Sequence, residues 1–126
     1  LRRLLWHATR WATTERADGT RPIDESLVTM ALAEIALDLE TIRNAQGPMG
    51  RVLSSEKLIQ RSAELLDLVG VDALLPKGVD GAIEDGILEW GHRFAQGTAI
   101  YGGTTDVARN IVAQHTLGLP RPPKVV

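Results

Sequence analysis

Apolar residues recur along this chain at intervals of three and four, the period of one face of an α-helix. Leu1, Leu4, Leu5, Ala8, Trp11 and Ala12 mark a first segment reaching about Arg16, and Asp18-Gly19-Thr20-Arg21-Pro22 breaks it with turn residues. Asp24 can cap a second segment, in which Val28, Leu32, Ile35, Leu39 and Ile42 form the cleanest stripe. Gln46-Gly47-Pro48-Met49-Gly50 reads as its end. A third helix is expected to start at Ser54 or Ser55 and to stop at Gly70. Ile59, Ser62, Leu66 and Val69 form one row and Leu58, Leu65 and Leu68 another, so it should be buried on more than one side.

After the loop Leu75-Pro76-Lys77-Gly78, Asp80 can cap a fourth segment from Ile83 to about Ile100, with Ile83, Ile87, Trp90 and Phe94 facing one way. Gly86, Gly91 and Gly97 lie inside it, each costing about 1 kcal/mol relative to alanine. A neighbouring helix or a ligand approaching closely would offset that cost. Tyr101-Gly102-Gly103-Thr104-Thr105 interrupts the helix, and a short fifth helix runs from about Asp106 to Leu117 with Gly118 at its stop. No alternation is long enough for a strand. The pattern therefore predicts an all-α protein: a four-helix bundle plus a short C-terminal fifth helix, with Arg121 to Val126 as an extended tail.

Composition narrows the chemistry. The 126 residues suit one domain, and a chain of this size buries roughly two-thirds of its unfolded surface. With 14 Lys and Arg against 16 Asp and Glu, the net charge of −2 argues against a nucleic-acid partner. Without cysteine there is no disulfide, thiolate metal site or cysteine nucleophile, and His7, His92 and His115 are too scattered for a local zinc motif. The apolar runs are too short to span a membrane and no signal-peptide pattern opens the chain, so a cytoplasmic location is expected. Gly81 and Gly86 have phosphate-loop spacing, but Ile87-Leu88 stand where Lys-Ser/Thr is needed. The chain opens at Leu1 in mid-helix pattern, which reads as a fragment of a longer protein.

Ile100-Tyr101-Gly102-Gly103-Thr104-Thr105-Asp106-Val107-Ala108-Arg109-Asn110-Ile111-Val112-Ala113, continuing into Leu117-Gly118-Leu119-Pro120-Arg121, closely resembles the C-terminal signature of the acyl-CoA dehydrogenase family. Arg93 matches a family arginine seven residues before Ile100. Ser55-Glu56-Lys57-Leu58 with Leu66 to Gly70 resembles that family's third C-terminal helix, and Leu32-Ala33-Glu34 with Thr41-Ile42-Arg43 its second. The resemblance implies that residues 1–126 form the C-terminal helical-bundle domain of a chain that also carries an N-terminal helical and a middle β domain. It implies FAD bound between domains of two subunits, an acyl-CoA substrate, a homo- or hetero-oligomer such as a dimer of dimers, and an electron-acceptor flavoprotein. In such enzymes a glutamate removes the α-proton of an acyl thioester while the β-hydrogen leaves as hydride.

On that resemblance Tyr101, Gly102, Gly103 and Thr104 are candidate cofactor contacts. Arg93 joins them, as does Asp106, which also suits the first turn of a helix. No catalytic residue is assigned, because Gly102 stands where many members place the glutamate base. The base should then lie upstream of Leu1 or on a partner subunit, as in family members built from two unlike subunits. The family's Arg-x-x-Phe-Gly segment is degraded to Glu15-Arg16-Ala17-Asp18-Gly19, and Leu68-Val69-Gly70-Val71 lacks the usual glutamine, which weakens the expected grip on FAD. The stretch between helices two and three is also short for the family. Alternatives are a flavin-dependent monooxygenase of the same fold and a non-catalytic helical assembly module.

Overall fold

The computed structural model describes residues 1–121. The expected residues beyond Arg121 lie outside that range. Five helices account for the architecture: α1 (Arg2–Thr13), α2 (Ser26–Asn44), α3 (Gly47–Val69), α4 (Ile87–Gly97) and α5 (Thr105–Ile111), with no strand among the described residues. α1 packs against α2 and α4, and α3 packs against α2, α4 and α5. The four long helices thus close a bundle, and α5 lies along the outside of α3.

The stripes read from sequence fill its core. Leu4, Ala8 and Ala12 of α1 meet Val28, Leu32 and Ile35 of α2, Leu65 of α3, and Ile87 and Leu88 of α4. α3 is the central helix: it buries Val52, Ser55, Ser62 and Leu65 and half-buries Leu58, Leu66 and Leu68. A charged clasp ties it to α2. Arg61, whose side chain is only 11% exposed, binds Asp38 at 2.6 Å and Glu34 at 3.0 Å, and Lys57 reaches Asp38 at 3.2 Å. Burial opposes ionisation of Asp38, but hydrogen bonds from Arg61 and Lys57 outweigh it and hold the carboxyl below its ordinary value. Glu64 is held low in the same way by Arg61 and Gln60.

Several boundaries differ from the sequence expectation, each for a local reason. Asp24 does not cap α2. It pairs with Arg21 at 2.9 Å inside a 3₁₀ turn, Pro22–Asp24, and α2 begins two residues later. Gly47-Pro48 does not separate α2 from α3 but starts α3, because proline tolerates the first helical turn where its missing N–H is not needed. Ser54 and Ser55 consequently sit inside the helix. α2 and α3 are joined by Ala45 and Gln46 alone, and Gly50 passes so near Ala45 that a Cβ there would stand 2.5 Å from the Ala45 carbonyl oxygen.

Asp80 does not cap α4, which starts at Ile87 rather than Ile83 and ends at Gly97 rather than Ile100. Ahead of it Glu84 (φ 51°), Asp85 (φ 55°) and Gly86 (φ 71°) are all left-handed, so the chain must turn before the helix can run. Its buried stripe is Ile87, Leu88, Gly91, Ala95 and then Thr98, not the expected Ile83–Ile87–Trp90–Phe94 row. Trp90 and Phe94 stack outside with ring centroids 5.2 Å apart, each nearly half exposed. Gly91 carries the close approach: a Cβ there would stand 2.4 Å from the buried Leu4 side chain of α1.

Candidate functional site

The turn between α4 and α5 begins where α4 runs out of helix at Gly97. Thr98 is buried, and its hydroxyl donates to Ala95 O at 2.6 Å, holding the last carbonyls of α4. Tyr101 N donates back to Gly97 O at 3.2 Å. The chain then reverses through Gly102 (φ 69°) and Gly103 (φ 96°), a path open to glycine at little cost. Thr105 N closes the base of the loop onto Ala99 O at 3.0 Å. Thr104 caps α5, its hydroxyl oxygen accepting from Val107 N at 3.2 Å, which leaves the hydroxyl proton free to donate elsewhere.

The carbonyls of this turn face the bundle. Arg51, near the start of α3, donates through Nη2 to Tyr101 O and, at 3.1 Å, to Gly103 O, while Nη1 donates to Ser55 Oγ. Ser55 is buried and passes the connection on, donating to Thr98 O at 3.0 Å. The Arg51 guanidinium also stands 5.8 Å from the centroid of the Tyr101 ring, within cation–π range. Three turn carbonyls are thereby bound to one helix. The N–H groups of Gly102, Gly103 and Thr104 have no acceptor among the described residues.

Two hollows flank the strap. One, about 390 Å³, is lined mainly by Leu39, Ile42, Leu58, Phe94 and Tyr101, with Arg51 at its wall. The other, about 180 Å³, lies between the start of α3 and Gly102, Gly103, Thr104, Val107 and Ala108, and Arg51 lines it too. A Cβ at Gly102 or Gly103 would meet nothing within 4 Å, so the apex of the turn is open space.

Tyr101, Gly102, Gly103 and Thr104 therefore form one continuous surface. Asp106 stands in the first turn of α5, its side chain 87% exposed and 3.5 Å from Arg109, which also pairs with Glu56 of α3. Arg93 lies on α4, exposed and bound to Glu89 at 2.6 Å, and no hydrogen bond or ion pair among the described residues joins its side chain to the turn. Of the segments expected to weaken a cofactor grip, Glu15 to Gly19 is an exposed turn in which Arg16 N donates to Thr20 O, and Gly70 (φ 95°) terminates α3. Sequence reasoning missed Arg51 and Ser55. Ser55 left a faint signal, a small polar residue seven before Ser62 on the buried side of α3; Arg51 left none.

A helical bundle with this turn and last helix, matched over residues 1–117 by the sequence profile "Acyl-CoA dehydrogenase, C-terminal domain", settles the lineage. The chain belongs to the acyl-CoA dehydrogenase family. It is 29% identical over 131 residues to the acyl-CoA dehydrogenase FadE26 of Mycobacterium tuberculosis, covering 88% of this chain and 33% of FadE26. Its fold superposes on a chain of the ChsE4–ChsE5 complex from Mycobacterium tuberculosis with a TM-score of 0.84 and 28% identity, over 95% of this chain and 35% of that one. A structure described as the Tcur3481–Tcur3483 steroid ACAD shares the fold at a TM-score of 0.79 and 24% identity, over 95% of this chain and 34% of that one. The chain thus spans about a third of the length of these relatives in the acyl-CoA dehydrogenase family.

Proposed function

We propose that this domain is the C-terminal, flavin-facing part of an FAD-dependent acyl-CoA dehydrogenase that oxidises the α,β-bond of an acyl-CoA thioester, and that the proton acceptor lies outside it. The observation that carries the reading is the glycine turn. Three successive main-chain donors, at Gly102, Gly103 and Thr104, are unclaimed among the described residues, with no side chain at residues 102 and 103 to stand in front of them. Such a row of N–H groups suits the carbonyl edge of a ring or a phosphate oxygen. The residues present therefore fit FAD, and Gly103 and Thr104, with the free proton of the Thr104 hydroxyl, would hold it. When bound, the flavin supplies the hydride acceptor.

What the turn does not offer is a base. A carboxylate that takes a carbon-bound proton needs a dry pocket that raises its proton affinity. The carboxylates beside the turn, Asp106 and Glu56, are solvent-exposed and paired with Arg109. Gly102 has no acceptor atom. The open space at its apex has room for a side chain, so sterics do not explain the missing carboxylate. The base then comes from an upstream segment or from a second subunit. Likeness to one chain of the ChsE4–ChsE5 complex favours a heteromer, and the exposed aromatics Trp90, Phe94 and Tyr101 give a partner bundle an apolar surface to cover.

The full-length protein, alone and co-expressed with its partner, tests this. The visible flavin band should co-purify and bleach when an acyl-CoA thioester is added, with straight-chain and steroid-side-chain thioesters compared. The 126-residue domain alone should neither retain FAD nor turn over. A measurable dehydrogenase rate from the domain, or a flavin-free assembly, contradicts the proposal.

A further inference from the structure

We infer that Arg51 is the positioning residue of the flavin-facing turn, holding the N–H donors of Gly102 and Thr104 ready by binding the carbonyls on the opposite edges of their peptides. The inference rests on the proposed flavin role of that turn.

A peptide plane has its N–H and C=O on opposite edges, so fixing the carbonyls of residues 101 and 103 fixes the N–H directions of residues 102 and 104. Two consecutive glycines would otherwise leave this segment with more backbone freedom than any other pair in the chain could have. Arg51 removes that freedom from one point. Its planar fork holds two turn carbonyls and the Ser55 hydroxyl at once, a geometry an ammonium group cannot copy in full. Ser55 extends the same strap to Thr98, where α4 ends. The guanidinium makes no ion pair with any described carboxylate, so its charge is directed to neutral partners: the two turn carbonyls, the Ser55 hydroxyl and the Tyr101 ring. A side chain from the neighbouring helix thus does for the turn what the turn's own glycines cannot.

The test compares wild type, Arg51→Ala and Arg51→Lys in the assembled flavoprotein, with two readouts. In the flavin-free state, amide exchange of the peptide covering residues 99–105 should quicken about tenfold in Arg51→Ala, as expected for losing charge-assisted hydrogen bonds, and by less in Arg51→Lys. Exchange in the α2–α3 clasp around Asp38 and Arg61 should not change. The FAD dissociation constant should rise by about the same factor in Arg51→Ala, with partial recovery in Arg51→Lys. Unchanged exchange in both variants overturns the strap. Faster exchange with unaltered FAD affinity overturns its purpose, because the order it imposes is then not used by the flavin. Failure of the underlying reading is separate: in wild type, FAD would leave the exchange of residues 102–104 untouched. If Arg51→Ala does not fold, Arg51→Lys decides alone, because equal exchange and equal affinity to wild type would contradict a need for the guanidinium fork.

Discussion

Glycines with the same chemistry do different things at different positions here, and substitution separates them. Gly86 is left-handed and lies against backbone, so a Cβ would stand 2.4 Å from Lys77 N and 2.6 Å from Pro76 C. Neither atom can step aside, and Gly86→Ala should cost about 3 kcal/mol, combining left-handed strain with overpacking. Gly91→Ala meets the end of the Leu4 side chain, and repacking of that buried leucine should limit the loss to about 1–2 kcal/mol. At Gly102 the neighbourhood is empty, and Gly102→Ala should lose about 1 kcal/mol from backbone conformation alone. Urea denaturation of the three variants checks the order. Asp85 is the reverse case: a left-handed, largely exposed aspartate whose one partner is Lys77 at 3.4 Å. Asp85→Gly should therefore stabilise by about 1 kcal/mol, because an exposed ion pair contributes less than the strain removed.

Helices and their ends divide what was legible in the sequence from what was not. The stripes of α1 and α2 were readable, since a helix with one buried face writes that face as a three-four period. The end of α3 at Gly70 was readable, and so was Gly118, which follows the π-helical turn Val112–Thr116 that continues α5, because a left-handed glycine is the chain's own signal. The start of α3 was not. Gly-Pro carries the chemistry of a break and of a first turn equally, and the two-residue connection decides between them. α4 misled more deeply: its buried stripe is built from Gly91 and Ala95, too small to register as hydrophobic, while Trp90 and Phe94 advertise a face turned outward. The Arg61 clasp makes its own prediction. Asp38 and Glu64 have carboxyls held low in the folded state, so the clasp stabilises fully above the carboxylate range and is lost as pH falls through those lowered values. Arg61→Met should cost about 2 kcal/mol at neutral pH and flatten the acid side of the stability profile, as measured by thermal melts between neutrality and acid.

Across the whole molecule, the proposed function is concentrated where α4 stops being a helix, and the rest of the bundle packs around that point. The glycine turn and the last helix were legible as a family resemblance, and the role proposed for the turn lies in main-chain groups, which sequence shows only as a run of small residues. The support was illegible, because Arg51 lies fifty residues from Tyr101 and meets it only through tertiary packing. The proposed reaction class rests on family membership. On the proposed reading, a glycine at residue 102 leaves the proton-transfer step to another segment or another subunit. Amide exchange across residues 101–105 of the assembled wild-type protein, with and without FAD, addresses the central claim most directly. The account predicts that FAD slows exchange at Gly102, Gly103 and Thr104 while the Arg61 clasp is unaffected. Equal exchange in the two states, with FAD demonstrably bound, would contradict it.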